Sequence, residues 1–365
     1  MIENSAAAMA HAIKLAHNAL GTTLPNPLVG CVCVDNRSRE IVSTGWHQRA
    51  GMPHAERNAL AMLRERQIDP RQVTLYVTLE PCSTHGHTGA CTDAIIAAGV
   101  PKVVIGTLDP NPDHRGRAID ILRSRGIVVE TGVLERECAA LNPIFNYAIV
   151  QNSPLFAARC AITRKGEMFF EPGKPAKITG AETAVQVARE RLYFPAIATS
   201  TGTVLADNPR LTIRREGHPL ACHTRLVLDR HGKTLEQLDV LNIFNDQFSR
   251  ERTIFVTFES TAARAESLLR SRGIRVWALP ENEQDYWRVL RERCFAEKLY
   301  GVYFECGPTF LKSLFAAGQA NYLYAYCANG LPEQAPIRYF SQTTKATLAL
   351  ERQLGADIEQ QFLIG

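Results

Sequence analysis

Runs of apolar residues with a strand period alternate along the chain with stretches whose apolar residues recur every three or four positions. The first pattern predicts strands and the second predicts helices. In the first 150 residues, strands are predicted at 28–35, 40–44, 73–79, 102–107 and 126–130. Helices are predicted from Asn4 or Ser5 to Gly21, over 54–66, from Cys91 onward and over 116–125. The alternation favours an α/β fold with β-α-β crossovers.

A second series of the same kind begins near Leu155, after a segment that Pro143 and Pro154 interrupt. Its strand-like runs are 154–162, 196–200, 224–229, 252–258, 274–279 and 300–306. Its helical patterns are 180–192, 260–272, 284–297 and 308–317. Two late runs, 322–328 and 347–364, predict closing strands. We therefore place a domain boundary near residue 150 and predict domains 1–150 and 151–365.

Composition narrows the class of protein. With 365 residues, 45% of them hydrophobic and 21% charged, the chain has the composition of a globular protein of about two domains. A formal charge of +4 is too small to indicate a nucleic-acid or membrane partner, and no run of roughly 18 apolar residues predicts a membrane span. The charged N-terminus does not resemble a signal peptide, and the ten cysteines lack paired spacing. We expect a cytoplasmic protein with a small-molecule substrate.

Two segments hold residues with the chemistry of a metal site. HAERNA (54–59) contains His54 and Glu56, and LEPCSTHGHTGAC (79–91) contains Cys82 and Cys91. Catalytic zinc is held by three nitrogen or thiolate ligands and keeps one position for water, whose pKa it lowers towards neutrality. We predict that His54, Cys82 and Cys91 bind Zn²⁺ and that Glu56 transfers protons during removal of an exocyclic amine.

Alternatives to this site remain open at the level of sequence. In one alternative, Cys82 and Cys91 are ordinary buried cysteines and His54 is a core histidine, without a metal. In another, His85 or His87 is a metal ligand. A zinc-stabilised binding protein without catalysis has no need for Glu56 beside its metal. Deaminases of transfer-RNA adenosine or of free cytidine usually have two residues between their cysteines, whereas Cys82 and Cys91 enclose eight.

Four motifs in order carry a family resemblance: TTLPNPLVGCVCV (22–34), GWHQRAGMPHAE (45–56), TLYVTLEPCSTHGHTGAC (74–91) and TLDPNPDHRGRA (107–118). They resemble the deaminase half of the bifunctional riboflavin-biosynthesis deaminase/reductase family. The resemblance implies a cytidine-deaminase-like three-layer α/β/α domain. It also implies that Asn26, His47 and the loop 84–88 contact substrate. His87 stands where that family usually has an arginine. If that arginine helps to hold a phosphate, its loss either weakens a charge-assisted contact or passes the role to Arg115 or Arg117.

The second half resembles the reductase half of the same family in STGTVLADNPRLTIR (200–214) and FECGPTFLKSLFAAG (304–318). The resemblance implies a dihydrofolate-reductase-like α/β domain. It assigns to NADPH the residues Ala161, Thr203, Asp207 and Gly307. It assigns to the phosphorylated pyrimidine substrate the residues Arg191, Leu211, Arg214 and Glu305.

In the second half, three losses relative to the family pattern stand at Lys165, Lys177 and Asn321. One interpretation is a bifunctional enzyme that deaminates 2,5-diamino-6-(5-phosphoribosylamino)pyrimidin-4(3H)-one and then reduces the ribosyl group to ribityl with NADPH. The alternative is a deaminase whose second half is a scaffold or binding domain. We favour the bifunctional enzyme and expect it to form a homo-oligomer.

Overall fold

The computed structural model describes residues 1–84, 89–168 and 178–365. The chain forms two compact units, Met1–Asn152 and Ser153–Gly365. Each unit is built around one β-sheet. Within the described residues, no helix has the length and apolar character needed to cross a bilayer.

The first unit contains a five-stranded sheet in the order β2-β1-β3-β4-β5. Strand β1 pairs antiparallel with both β2 and β3, and β3, β4 and β5 are parallel. The strands are β1 (Gly30–Asp35), β2 (Ile41–Trp46), β3 (Val73–Leu79), β4 (Lys102–Thr107) and β5 (Val128–Thr131). The helices are α1 (Ser5–Ala16), α2 (Ala55–Glu65), α3 (Cys91–Ala98), α4 (Arg117–Ser124), α5 (Glu135–Ala139) and α6 (Pro143–Gln151).

Helices cover both faces of this sheet, so the first unit has three layers. On one face, apolar residues of α2, α3 and α4 pack on strand residues such as Cys31, Leu75 and Val103. On the other face, α1 and α5 pack on the alternate strand residues, including Val32 and Val104. The period of two along each strand sends successive side chains to opposite faces, which explains why continuous apolar runs form these strands.

The second unit contains a nine-stranded sheet in the order β10-β9-β8-β7-β11-β6-β12-β14-β13. The seven strands from β10 to β12 are parallel, and β14 pairs antiparallel with β12 and β13. The strands are β6 (Leu155–Ile162), β7 (Ala196–Ser200), β8 (Thr224–Leu228), β9 (Thr253–Phe258), β10 (Arg275–Leu279), β11 (Gly301–Glu305), β12 (Tyr322–Cys327), β13 (Ala346–Leu354) and β14 (Asp357–Ile364). The helices are α7 (Ala181–Arg191), α8 (Thr201–Asp207), α9 (Asn242–Asn245), α10 (Ser249–Arg252), α11 (Glu259–Leu269), α12 (Glu283–Ala296) and α13 (Pro308–Ala316).

Two apolar cores lie on opposite faces of the nine-stranded sheet. Helices α12 and α13 cover one face, where Trp287 and Leu311 are buried against the strands. Helices α8, α9 and α11 contribute Val204, Phe244 and Ala265 to the core on the other face. Because the central strands are buried on both sides, their sequences are mostly apolar, with Arg159 of β6, Arg225 of β8 and Glu305 of β11 as exceptions.

The predicted α/β fold is confirmed, and its strands lie within a few residues of the predicted bounds. Among the described residues, five helices were not predicted: α5, α6, α8, α9 and α10. The segment that the prolines appeared to interrupt contains α6, because Pro143 occupies the first turn of a helix, where its missing N–H costs nothing. Helix α8 was also not predicted, since seven residues are too few to show a helical period. Helix α1 begins after its predicted cap, Asn4, but ends at Ala16 and continues only as a short 3₁₀ turn.

Candidate active sites

His54, Cys82 and Cys91 come together where β3 ends and two helices begin. His54 is the N-cap of α2, Cys82 follows β3, and Cys91 is the first residue of α3. The His54 Nδ1 lies 3.5 Å from the Cys82 Sγ and 3.4 Å from the Cys91 Sγ. All three ligand atoms lie within 4.8 Å of one another. One histidine nitrogen and two thiolates at this spacing match the donor set and size of a tetrahedral zinc site.

Backbone contacts hold the two cysteines together. The N–H groups of Cys91 and Thr92 donate to the carbonyl oxygen of Cys82, at 3.1 and 3.2 Å. The Cys91 N–H also lies 3.3 Å from the Cys82 Sγ. The Cys91 thiol, aided by His54 and this N–H, lowers the pKa of Cys82 to about 4. A thiolate is the form in which cysteine binds a metal.

Glu56 lies in the first turn of α2 and is only 3% exposed. Burial raises the pKa of its carboxyl, and the neighbouring Cys82 raises it further. A carboxyl in such a place is suited to accept and return a proton, because its two protonation states are closer in free energy than those of an exposed glutamate. Residues i and i+2 diverge by roughly 200° on a regular helix, so Glu56 and His54 can face one site only at the first turn of α2, which is where they lie.

A close approach of strand and helix fixes where α2 begins. A Cβ atom at Gly45 of β2 would lie 2.2 Å from the carbonyl oxygen of Ala55 and 2.5 Å from the Ala59 nitrogen. Only glycine allows this approach. The side chain of Asn58 donates to the carbonyl of Trp46 at 2.8 Å, which ties the same helix to the end of β2.

The predicted substrate residues Asn26 and His47 lie beside the cysteine-histidine cluster and contact each other. The Asn26 amide is 3.3 Å from the His47 Nε2, and the His47 Nδ1 is 3.2 Å from the carbonyl of Pro53. The imidazole donates from Nδ1 and accepts at Nε2, which is its neutral form. Burial lowers the pKa of His47 and so keeps it neutral. Its ring packs edge-on against the His54 ring at 5.2 Å.

Glu80 is a buried residue of this region that the sequence analysis did not single out. Its carboxylate accepts hydrogen bonds from three backbone N–H groups, those of Asp109, Gly116 and Ala118, at 3.0 to 3.1 Å. It therefore organises the 107–118 motif around the end of β4. Its place directly before Pro81 and Cys82 was the signal that could have identified it.

The 107–118 segment itself has the geometry of a turn. The Asp109 side chain accepts from the Asn111 N–H at 2.8 Å, and the Asn111 side chain accepts from the Asp113 N–H at 3.0 Å. Arg115 and Arg117 are exposed. The predicted contacts of His85, His87 and Thr88 lie outside the described residues.

In the second unit, a cavity of about 740 Å³ opens at the carboxyl ends of parallel strands. Ligands in open α/β sheets bind at this edge. The cavity brings together seven of the eight residues predicted for cofactor or substrate: Ala161, Arg191, Thr203, Asp207, Leu211, Arg214 and Glu305. The eighth, Gly307, caps α13 and donates its N–H to the Thr203 hydroxyl at 3.0 Å.

Arg191 and Glu305 form an ion pair in the wall of the cavity. Two guanidinium nitrogens donate to the two carboxylate oxygens at 2.6 and 2.7 Å, and a third donates to the carbonyl of Thr212. Burial alone would raise the pKa of Glu305, but the Arg191 charge prevails and lowers it. Both residues were predicted to contact substrate. Their mutual, two-point pairing was not predicted, and it fixes the orientation of each.

The segment between α8 and β8 lines another part of the cavity. Leu211 adopts a φ of 50°, in the left-handed region that leucine rarely occupies. Such strain is commonly found where a ligand is held. Asp207 has one buried carboxylate oxygen without a hydrogen-bond partner, and burial raises its pKa. Arg214 is exposed at the cavity rim.

Arg159 of β6 is a cavity residue that the sequence analysis did not single out. It lines the cavity, its Nε is buried without a partner, and its guanidinium lies 5.5 Å from the centre of the Tyr326 ring. The alternation along β6 was the available signal, because Arg159 and Ala161 share the face opposite to the apolar core.

Two of the three departures that cast doubt on the second half lie outside the cavity lining described here. Lys165 is exposed in a turn beyond β6. Asn321 accepts from the Phe156 N–H at 2.9 Å and so joins the beginnings of β6 and β12. The third, Lys177, lies outside the described residues.

Both halves match known protein families. Residues 2–107 match the cytidine and deoxycytidylate deaminase zinc-binding region, and residues 160–332 match the RibD C-terminal domain. The chain is 33% identical to the riboflavin biosynthesis protein RibD of Actinobacillus pleuropneumoniae over 366 residues, covering 98% of this chain and 94% of that one.

Solved structures agree over the whole length. Acinetobacter baumannii RibD has a TM-score of 0.83 at 28% identity, with 100% of both chains covered. A diaminohydroxyphosphoribosylaminopyrimidine deaminase/5-amino-6-(5-phosphoribosylamino)uracil reductase from Thermotoga maritima has a TM-score of 0.82 at 28% identity, with 99% of both chains covered. The predicted pairing of a deaminase-like domain with a reductase-like domain is thus confirmed, and the chain belongs to the RibD family of riboflavin-biosynthesis enzymes.

Proposed function

We propose that this enzyme removes the 2-amino group of 2,5-diamino-6-(5-phosphoribosylamino)pyrimidin-4(3H)-one by hydrolysis and then reduces the ribosyl group to ribityl with NADPH. The observation that carries the first step is the cluster of His54, Cys82 and Cys91, with the buried Glu56 beside it. The observation that supports the second step is the cavity of the second unit, whose lining residues are far apart in sequence, between positions 159 and 306.

In the deaminase domain, His54, Cys82 and Cys91 would hold the zinc ion. Zinc in such a site supplies Lewis acidity and activates water. Glu56 takes a proton from the attacking water and delivers it to the departing amine, so that water and the amino-pyrimidine give the carbonyl product and ammonia. The neutral His47 and Asn26 line the approach to this centre and orient the pyrimidine ring by hydrogen bonds.

In the reductase domain, Ala161, Thr203, Asp207 and Gly307 would contact NADPH. The N-termini of α8 and α13 meet at the Thr203–Gly307 hydrogen bond, and helix N-termini favour phosphate groups. NADPH supplies the hydride, and one further proton completes the conversion of ribosyl to ribityl. Arg191, Leu211, Arg214 and Glu305 would bind the phosphorylated pyrimidine, with the Arg191–Glu305 pair holding its position through the cycle.

We further infer that residues 1–150 perform the deamination and residues 151–365 the reduction, in the cytoplasm. All ten cysteines are free, as expected for a protein of a reducing compartment. The homo-oligomer expected from the sequence stays a prediction, which light scattering of the purified chain tests.

The experiment that tests the proposal follows ammonia release and NADPH oxidation separately, under anaerobic conditions, with zinc-loaded enzyme and the diaminopyrimidine substrate. Both signals are expected. Glu56→Gln is expected to lower ammonia release by roughly 10²–10⁴-fold, the usual contribution of a general acid-base group. The variant should still bind zinc and should still oxidise NADPH when the already deaminated pyrimidine is supplied.

Ammonia release without NADPH oxidation would reject the reductase assignment and leave a deaminase with a scaffold domain. Glu65→Gln, an exposed change at the end of the same helix, is the matched control and should keep both activities. Absence of both signals in the wild-type enzyme would reject the proposed function.

A further inference from the structure

A buried carboxyl group, Glu190, lies behind the wall of the reductase cavity. It is 4% exposed and belongs to the last turn of α7. The hydroxyl groups of Tyr303 and Tyr326 both donate to its Oε2, the first at 2.7 Å. The Gln186 side chain donates to its Oε1 at 3.0 Å. The three donors come from α7 itself and from the neighbouring strands β11 and β12.

A second carboxyl, that of Glu359 on β14, is fully buried and interacts with Glu190. Glu359 lies opposite Tyr326 in the β12–β14 pairing, and the Tyr326 hydroxyl donates to Glu190. The two oxygens of Glu359 accept from the Arg352 Nε and the Gln361 Nε2, each at 2.5 Å. Two buried carboxylates cannot both stay ionised side by side, so such a pair shares a proton. Because Arg352 compensates the charge of Glu359, the proton belongs on Glu190.

The protonation state follows from burial and charge together. Burial raises the pKa of Glu190 to about 8, and the hydrogen bond and charge of Glu359 add to the effect. The hydrogen bonds from Gln186 and Tyr326 act in the opposite direction but are weaker. Glu190 is therefore neutral at pH 7, and its O–H is available to join Glu359.

Contacts connect this pair to the cavity. Helix α7 presents Val187, Ala188 and Arg191 to the cavity, whose described lining does not include Glu190. Tyr326, which donates to Glu190, packs against Ala161 and Val187, and the Arg159 guanidinium lies over its ring. A change at Glu190 thus reaches the cavity wall through one intervening side chain.

We propose that Glu190 is a positioning residue of the reductase site, whose carboxyl shares a proton with Glu359 and so ties α7 to the C-terminal hairpin β13–β14. Loss of that proton places two negative charges side by side and loosens α7 against the sheet. The inference rests on the proposed function only in naming the cavity as the reductase site. The shared proton itself is a property of the fold.

The sign of the pH dependence follows from linkage. Glu190 holds its proton more tightly in the folded enzyme than in the unfolded chain, so its contribution to stability is complete below about pH 4.5 and is lost as the pH rises to about 8. Among the described residues, the titratable and charged groups that face Glu190 are Glu359 from β14, Arg352 from β13, Tyr322, Tyr324 and Tyr326 from β12 and Tyr303 from β11. Arg159 from β6 faces Tyr303 and Tyr326.

The test compares the full-length wild-type enzyme with Glu190→Gln, which keeps the shape and replaces the shared proton by an amide N–H. Glu182→Gln, an exposed change on the same helix, is the matched control. Between pH 5 and pH 9, the Tm of the wild type and of the control should each decrease by roughly 5 °C or more in excess of the decrease in Glu190→Gln. The infrared C=O band of a protonated carboxyl should be present at pH 7 in both, absent in Glu190→Gln, and lost from the wild type above pH 8.

A kinetic measurement adds a readout that a purely structural role would not change. The KM of the reductase for its pyrimidine substrate should rise over the same pH range in the wild type and stay flat in Glu190→Gln. Glu359→Gln, which removes the other carboxyl, should also remove the band at pH 7 and the pH dependence.

Identical infrared bands and Tm slopes in Glu190→Gln and Glu182→Gln would overturn the inference, as would a KM that rises equally in both. If Glu190→Gln does not fold, the infrared band and the pH dependence of the Tm are measured in Glu359→Gln instead, and they test the shared proton in the same way. Absence of NADPH oxidation in every form would reject the proposed reductase, whereas the infrared and Tm measurements would still decide whether the proton is shared.

Discussion

The two active sites are built in different ways. The proposed zinc ligands and Glu56 lie within 54–91 and meet at two strand-to-helix junctions, so short stretches of chain carry most of the geometry. The reductase cavity gathers residues from 159 to 306, on several strands and helices of the second unit. A local site leaves a readable motif in the sequence, whereas a distributed one depends on how distant elements pack.

The two sites also differ in how their charges are balanced. In the first, His54, Cys82 and Cys91 form a cluster whose donor set a zinc ion would complete. In the second, the Arg191 and Glu305 charges compensate each other inside the protein. Removing one of the metal-binding side chains should therefore affect metal binding and chemistry in the first site. Removing one member of the Arg191–Glu305 pair should instead affect the folding of the second unit and the orientation of the remaining side chain.

The largest expected effect is the loss of the zinc site. Cys91→Ser should lose its zinc and lower ammonia release at least as far as Glu56→Gln, roughly 10²–10⁴-fold. Zinc content and ammonia release are measured together. Cys138→Ser, a buried cysteine of the same unit outside the cluster, is the control. NADPH oxidation with the deaminated pyrimidine should not change, and a parallel loss of that activity would contradict the independence of the two sites.

The next effect is on the second unit. Arg191→Met leaves Glu305 buried without its partner, and breaking such a pair costs about 3–5 kcal/mol. The arginine and glutamate side chains are 17% and 11% exposed, so solvent screens them little. The denaturant midpoint of the second unit should fall and NADPH oxidation should stop, while ammonia release continues.

Arg288→Met provides the matched control for that measurement. Arg288 pairs with Asp285 and Glu292 on the surface of α12, where it is 57% exposed. Its loss should leave the midpoint and both activities unchanged. An equal loss of stability in both variants would show that the Arg191–Glu305 pair contributes no more to the stability of the second unit than an exposed ion pair does.

A smaller effect is expected at Glu80. Glu80→Gln replaces one of its two accepting oxygens with an N–H group, which then faces a backbone donor. The cost of the unsatisfied groups is about 1–3 kcal/mol. The urea midpoint of the first unit should fall and the KM for ammonia release should rise, with zinc content unchanged. Loss of zinc instead would place Glu80 among the residues that hold the metal site.

The smallest effect is expected at Arg57, which links the two ligand-bearing helices. Its Nη2 donates to the carbonyl of Ala90, directly before Cys91, at 3.2 Å. Arg57→Lys should weaken zinc affinity by at most about tenfold, the lower range for residues behind a metal ligand. Arg64→Lys, exposed on the same helix, should leave the affinity unchanged. Competition with a chelator measures both.

Much of the fold could be predicted because its elements are local. Strand β3 was predicted with the observed bounds, and β4 likewise, because a continuous apolar run between polar turns has one simple interpretation. The sheet order could not be predicted. Strand β11 lies between β7 and β6, and β14 lies between β12 and β13, because pairing depends on which buried faces complement each other after the chain collapses.

From the sequence alone, we could predict two α/β domains, a cysteine-histidine donor set with Glu56 beside it, and the family that these motifs indicate. Residue types at fixed spacings suffice for such inferences, because a helix start or strand end places neighbouring residues predictably. Only the tertiary structure decided that Arg191 pairs with Glu305, that Glu80 holds the 107–118 turn, and that Glu190 meets Glu359. Each of these joins residues distant in sequence, and the cost or gain of burying a charge depends on the partner that folding brings to it.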